Sequence, residues 1–180
     1  MLWFILFVLL LLFLLDYIFT EMLSTDIKKE IYKISRKILD SIVEETGNLT
    51  LNFILAITIG VFISVFLEEI VFRFIPALIV MSFGATPTLL LLTLIVFAFL
   101  DAYIHKIDAE KLIGEKVSNL YFVSIFIMQT ILAFAFYHIF MISVASNPFR
   151  ALLNAFILTT MIHFAYDFLC LLMLAVDILE

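Results

Sequence analysis

Apolar runs long enough to cross a lipid bilayer recur along this chain, and they decide its class of fold before any single residue is considered. A helix needs about 20 predominantly apolar residues to span the hydrocarbon core. Leu2–Phe19, Leu49–Ser82, Thr88–Tyr103, Asn119–Ala145 and Ala151–Val176 approach or exceed that length. Inside lipid every backbone N–H and C=O must be satisfied by the protein itself, which leaves only helices and closed barrels. Four Gly and three Pro in 180 residues are too few for the turns of a barrel. With 66% hydrophobic and 14% charged residues, the chain lies well outside the composition of soluble domains. The expectation is an all-α integral membrane protein with about five transmembrane helices plus one amphipathic interfacial helix.

Residues 1–48 form one expected unit, a membrane helix followed by an amphipathic helix, and residues 49–180 a helical core. Leu2–Phe19 lacks a basic segment before it and a small-residue cleavage site after it, so it reads as a retained helix. In the polar segment that follows, Ile27, Ile31, Ile34, Ile38 and Ile42 recur at helical spacing and make one apolar stripe. Thr25 or Asp26 can cap the start of this helix and Gly47 its end. Such a helix lies on the membrane surface, or binds a partner or a second copy. Within the second run, Pro76 permits a break, so that residues 70–81 would lie along the interface or re-enter it. The single cysteine, Cys170, excludes an internal disulfide.

Lysine and arginine bias sets the expected orientation. Lys28, Lys29, Lys33, Arg36 and Lys37 precede the second run, and Lys106, Lys111 and Lys116 fall on the same side two crossings later. The other side has only Arg150. The basic side is therefore expected in the cytoplasm, with a multi-pass chain in the cell membrane, N-terminus outside and C-terminus inside. The net charge of −6 gives no reason to expect nucleic acid as a partner.

Ionisable residues inside the apolar runs carry the functional argument, because an intramembrane charge is expensive and marks a functional site by default. Glu69 and Arg73 are four apart and can pair on one helix face. Glu68 is rotated about 100° from Glu69, so one arginine does not readily satisfy both. Two adjacent carboxylates in a low dielectric repel, and one of them is poised to hold or take a proton, as general-base chemistry requires. Phe134 precedes His138 by one turn and can pack over its ring. Asp167, four residues after His163, can orient that imidazole. Helical rise puts Glu68, His138 and His163 in the half of the membrane nearer Ser146–Arg150. His105, beside Lys106, reads as an interfacial histidine on the opposite, basic side, where Asp101 can pair with it.

Glu68-Glu69-x-x-x-Arg73, Phe134-x-x-x-His138 and His163-x-x-x-Asp167 resemble, in order, the three motifs of the CPBP family of intramembrane proteases. This family comprises type II CAAX prenyl endopeptidases and Abi-like bacteriocin-processing or immunity proteins. The resemblance spans residues 49–176. It implies that Glu68 is the general base acting on a water and that His138 binds or activates that water. It implies that His163 and Asp167 polarise the scissile carbonyl, with Glu69 and Arg73 as the supporting pair. Two departures stand out. His105, 37 residues after Glu68, suits the second motif better by spacing and is the alternative second-motif histidine, but it has Asp101 where the family has phenylalanine. The third motif ends in Asp167, and an ionised aspartate cannot donate to an oxyanion.

The expected activity is that of an intramembrane endopeptidase, a hydrolase whose substrate is a membrane-associated or lipid-modified peptide. Its metallo- or glutamate-type chemistry is left open. Glu68, His138 and His163 are the ligands if a divalent metal such as zinc is used, and the same groups can work without one. The alternatives are a non-catalytic scaffold or immunity protein with structural polar residues, and a proton or ion pathway.

Overall fold

The computed structural model describes residues 1–19, 25–46, 51–84, 86–145 and 147–179, with side chains described over 1–19, 29–42, 54–84, 86–145 and 147–173. Seven α-helices account for nearly all of them: α1 (Leu2–Tyr17), α2 (Thr25–Thr46), α3 (Leu51–Glu69), α4 (Ile75–Ser82), α5 (Pro87–Ile113), α6 (Asn119–Ser143) and α7 (Pro148–Leu179). A π-helical turn, Ile70–Phe74, joins α3 to α4 without a break. Among the described residues, four apolar helical stretches are long enough to cross a membrane: Ile54–Ser82, Pro87–Ile113, Asn119–Ser143 and Pro148–Met173. Leu2–Tyr17 is a shorter apolar helix. The protein is an all-α membrane protein.

Two boundaries differ from the sequence reading. The second run does not turn aside at Pro76. Proline removes the N–H that would bond four residues back, and the helix responds just before it by widening, with the Ile75 N–H bonding the Ile70 carbonyl instead. Pro76 then sits near the start of α4, where its missing donor is tolerated. The third run likewise continues well past Tyr103. Helix α5 runs to Ile113 and ends at Gly114, whose φ of 71° supplies the left-handed cap that terminates helices. Lys106, Asp108, Glu110 and Lys111, charged residues beyond the apolar run, are helical.

Small side chains let the helices approach closely, as membrane packing requires. Ala98 of α5, Ala133 of α6, and Ala151 and Ala155 of α7 are buried together with Leu94, Phe136, Ile139 and Leu152. Helix α1 covers α6 and α7 through Val8 and Leu12, against Leu132, Ala135, Ile162 and Tyr166.

Helix α2 does not lie free. Its Ile34 is buried against Ala109, Val117 and Tyr121, with Ile31 alongside. Leu39 is buried against Ile57, with Ile42, Val61 and Phe168 alongside. Glu30 accepts from the backbone N–H of Ser118 at 3.0 Å and from its hydroxyl at 2.7 Å, at the start of α6. Lys33 pairs with Glu115 at 2.8 Å. Most of the isoleucine stripe therefore faces the bundle, although Ile38 is 37% exposed and Leu39 takes the buried place. Ile27 and the caps expected at Thr25, Asp26 and Gly47 fall outside the described side chains, and Ser146 outside the described residues.

Candidate active site

The ionisable residues of the apolar runs meet between α3, α5, α6 and α7. Arg73 is only 1% exposed and donates from Nη1 to Glu69 Oε1 at 2.5 Å. Its Nη2 donates to Gln129 Oε1 of α6, and the Gln129 amide donates onward to Glu68 Oε1 at 2.8 Å. One arginine thus serves both glutamates, directly through Glu69 and by way of an amide through Glu68. The 100° between the two carboxylates is bridged by a neighbouring helix.

His163 of α7 stands between the pair. Its Nδ1 lies 2.8 Å from Glu69 Oε1. Its Nε2 lies 3.6 Å from Glu68 Oε1 and 3.4 Å from Asp167 Oδ2. With Nδ1 donating to Glu69, the ring presents Nε2 to the space between Glu68 and Asp167. His105 of α5 approaches from the other side, with Nε2 3.2 Å from Glu68 Oε2 and 3.5 Å from Asp101 Oδ1. Asp101 Oδ2 lies 3.9 Å from Arg73 Nη2.

His138 is not part of this constellation. It is exposed on α6, and its ring packs against Phe4 of α1 at 4.5 Å between centroids. It lies nine residues beyond Gln129, about 13 Å further along the helix. The histidine that joins Glu68 and His163 is His105. Of the residues expected at the site, the fold brings together Glu68, Glu69, Arg73, His163, Asp167 and His105, and leaves out His138.

The depth also differs from the sequence reading. His105 is about 12 Å along α5 from its end at Ile113, and Gln129 is about 15 Å along α6 from its start at Asn119. Those are the two helix ends that carry Lys106, Lys111 and Lys116, so the site lies nearer the basic end of the bundle. The reason is the uninterrupted second span. Glu68 is in the middle of a helix that continues to Ser82, not at its far end.

A cavity of about 70 Å³ opens against these groups, lined among others by His105, Gln129, His163, Asp167, Tyr166 and Leu12. That volume holds a water with polar partners to spare. Glu68 contacts three of the lining residues: His105, Gln129 and His163. The arrangement therefore has a carboxylate, two imidazoles and room for water, walled by apolar helices.

Metal ligation follows from the same donors. The metal set expected from sequence, Glu68, His138 and His163, is not assembled, because His138 is elsewhere. Ligand atoms of Glu68, Asp101 and His105 do lie within 4.8 Å of one another. Two carboxylate oxygens and an imidazole nitrogen suit a divalent first-row ion.

Gln129 was missed in the sequence, and Asp101 was placed at the interface. Gln129 gave one signal, as an amide in the otherwise apolar middle of the fourth run. Asp101 pairs with His105 as the spacing allowed, but deep in the bundle and 1% exposed, not at the interface. The chain matches no known protein-family model, no curated protein and no solved structure.

Proposed function

We propose that this protein is an intramembrane endopeptidase in which Glu68 activates a water for attack on a peptide carbonyl. The observation that carries the reading is the convergence of Glu68, His105 and His163 from three helices, with both histidines lining one small cavity that Glu68 reaches through them. Hydrolysis needs a base within reach of a water, a group that steadies the developing oxyanion, and exclusion of bulk solvent. Glu68 is held by Gln129 with its second oxygen facing His105, which suits it to the first role. His163, fixed by Glu69 at Nδ1, offers Nε2 towards the reacting centre. Protonated there, it donates to the oxyanion or the leaving amine. Asp167 Oδ2, 3.4 Å from that same Nε2, orients the ring. Arg73 and Glu69 are positioning residues. A divalent cation on Glu68, Asp101 and His105, when bound, would polarise the carbonyl and acidify the water.

The order of motifs then resembles the CPBP family with His105 as the second-motif histidine. The substrate class is a membrane-bound or lipid-modified peptide. With the basic end in the cytoplasm, the site lies nearer the inner leaflet, where a lipid-anchored cytosolic tail can enter.

The test uses the chain reconstituted in lipid with fluorogenic peptides bearing a prenyl or acyl anchor. Loss of a positioned general base costs about 10²–10⁴-fold in rate. Glu68→Gln is expected to lose cleavage to that extent while the protein stays folded, and His138→Ala is expected to retain it. A fully active Glu68→Gln protein overturns the assignment. No cleavage by the wild-type protein, with His105→Ala and His163→Ala altering only stability, favours the non-catalytic scaffold.

A further inference from the structure

We infer that α1 is the gate by which a membrane-bound peptide reaches Glu68 and His163 sideways from the lipid, with Leu12 as its stopper. The inference rests on the peptidase reading and adds to it the route of entry and the residue that controls it.

The first observation is one of size. The cavity beside His105, His163 and Asp167 measures about 70 Å³. It has room for water, whereas an extended peptide needs a slot about 5 Å wide and about 3.3 Å long for every residue, with side chains on both faces. A wall must therefore move before a peptide bond meets Glu68. Helices α5, α6 and α7 supply the polar groups of that wall. Helix α1 supplies Leu12, which is 0% exposed and lines the cavity.

The second observation is what holds each wall in place. Helices α5, α6 and α7 meet through the buried Ala98, Ala133, Ala151 and Ala155. Close backbone approach through such small residues is what binds helices to one another in lipid. Helix α1 has no Gly, Ala, Ser or Thr between Leu2 and Tyr17. It packs chiefly on α6 and α7, and only Val8 and Leu12 of its 16 residues are buried. Their neighbours are Leu132, Ala135, Ile162 and Tyr166, and the Phe13 ring lies 5.2 Å from that of Tyr166. Lipid tails are as apolar as these side chains, so exchanging such contacts for lipid costs little. Helix α2 is the other peripheral helix. It is tied to the bundle by Glu30 on Ser118 and Lys33 on Glu115, and no described residue of it lines the cavity.

The third observation is where the gate opens. Leu6, Leu10 and Leu14 are exposed on α1, so its outer face meets lipid. Moving α1 aside bares His163 and Asp167 to hydrocarbon, where unpaired polar groups are costly. The backbone N–H and C=O groups of an entering peptide supply the partners that lipid lacks. An apolar side chain of that peptide then takes the place of Leu12, which selects a leucine-sized residue beside the scissile bond. Closure of such elements over bound substrate runs on the microsecond to millisecond scale.

The experiment uses the full chain in lipid vesicles, with spin labels at Leu14→Cys of α1 and Leu169→Cys of α7. Both positions are exposed, and Cys170→Ala removes the native thiol. Pulsed spin resonance is expected to give two distances, and Leu12→Ala to enrich the longer one. Joining the two cysteines through a bis-maleimide with a reducible spacer is expected to stop cleavage of acyl-anchored fluorogenic peptides, and reduction to restore it. Leu12→Ala should raise kcat/KM several-fold, and Leu10→Ala, on the lipid face, should leave it unchanged. A single distance that Leu12→Ala does not alter, or full cleavage by the cross-linked chain, overturns the gate and leaves the peptidase reading. Two distances shifted by Leu12→Ala, in a chain that cleaves no anchored peptide, support the moving helix and overturn the peptidase reading. The cross-link needs no change at Leu12, so it carries the test if Leu12→Ala does not fold.

Discussion

Arg73 shows how much depends on a single side chain here. It is a guanidinium sealed between Glu69, Gln129 and Asp101, 1% exposed, with its Nε lacking a hydrogen-bond partner among the described residues. Breaking a buried ion pair by removing one partner leaves a bare charge, at a cost of about 3–5 kcal/mol. Arg73→Met is therefore expected to destabilise the protein by that amount in a thermal or steric-trap unfolding assay. The double variant Glu69→Gln/Arg73→Met should recover part of the loss, because the orphaned carboxylate goes with the arginine. Equal losses in the single and double variants would show that the pair is not coupled. The sequence made the Glu69–Arg73 pair legible, since residues four apart meet on a helix. It could not show Gln129 as the relay to Glu68, because that contact joins residues far apart in the chain.

At the scale of elements, α2 is the informative piece. Its stripe and its basic faces suit a bilayer surface equally well, and periodicity alone cannot say which apolar surface it meets. The structure places it against α3, α5, α6 and α7, pinned by Glu30 at the start of α6 and by Lys33 on Glu115. A core Leu→Ala change costs about 2–5 kcal/mol. Leu39→Ala should cost in that range and raise amide exchange along α2. Ile38→Ala, on the neighbouring exposed position, should change stability by about 0.5 kcal/mol or less. Equal effects from the two would mean that α2 is held by lipid and not by the bundle. The π turn at Ile70–Phe74 belongs to the same scale. Pro76 announced an irregularity, but whether the helix breaks or widens depends on what its neighbours pack against.

For the whole molecule, the lysine bias predicts a membrane orientation, and that orientation decides which leaflet the polar site lies nearer. In a chain with Cys170→Ala, the Lys116→Cys variant is expected to resist an impermeant thiol reagent added to intact cells. Asn147→Cys should react with it. The reverse pattern would turn the bundle over and place the site nearer the outer leaflet.

Length and hydropathy alone determined the membrane class, the helical content and most of the spans, because a bilayer admits so few backbone solutions. Spacing alone brought out Glu68, Glu69, Arg73, His163 and Asp167, since each motif lies within one or two turns of one helix. The choice between His105 and His138 is a long-range matter. It turns on where α5 ends and how far the second span continues, and neither is fixed locally. The sequence extended no helix past Lys106, because charged residues read as loop. The tertiary structure carried α5 on to Ile113, and with it brought His105 and Asp101 beside Glu68. Depth was decided the same way: a span read as ending near Glu68 runs on to Ser82, and packing moved the site towards the basic end.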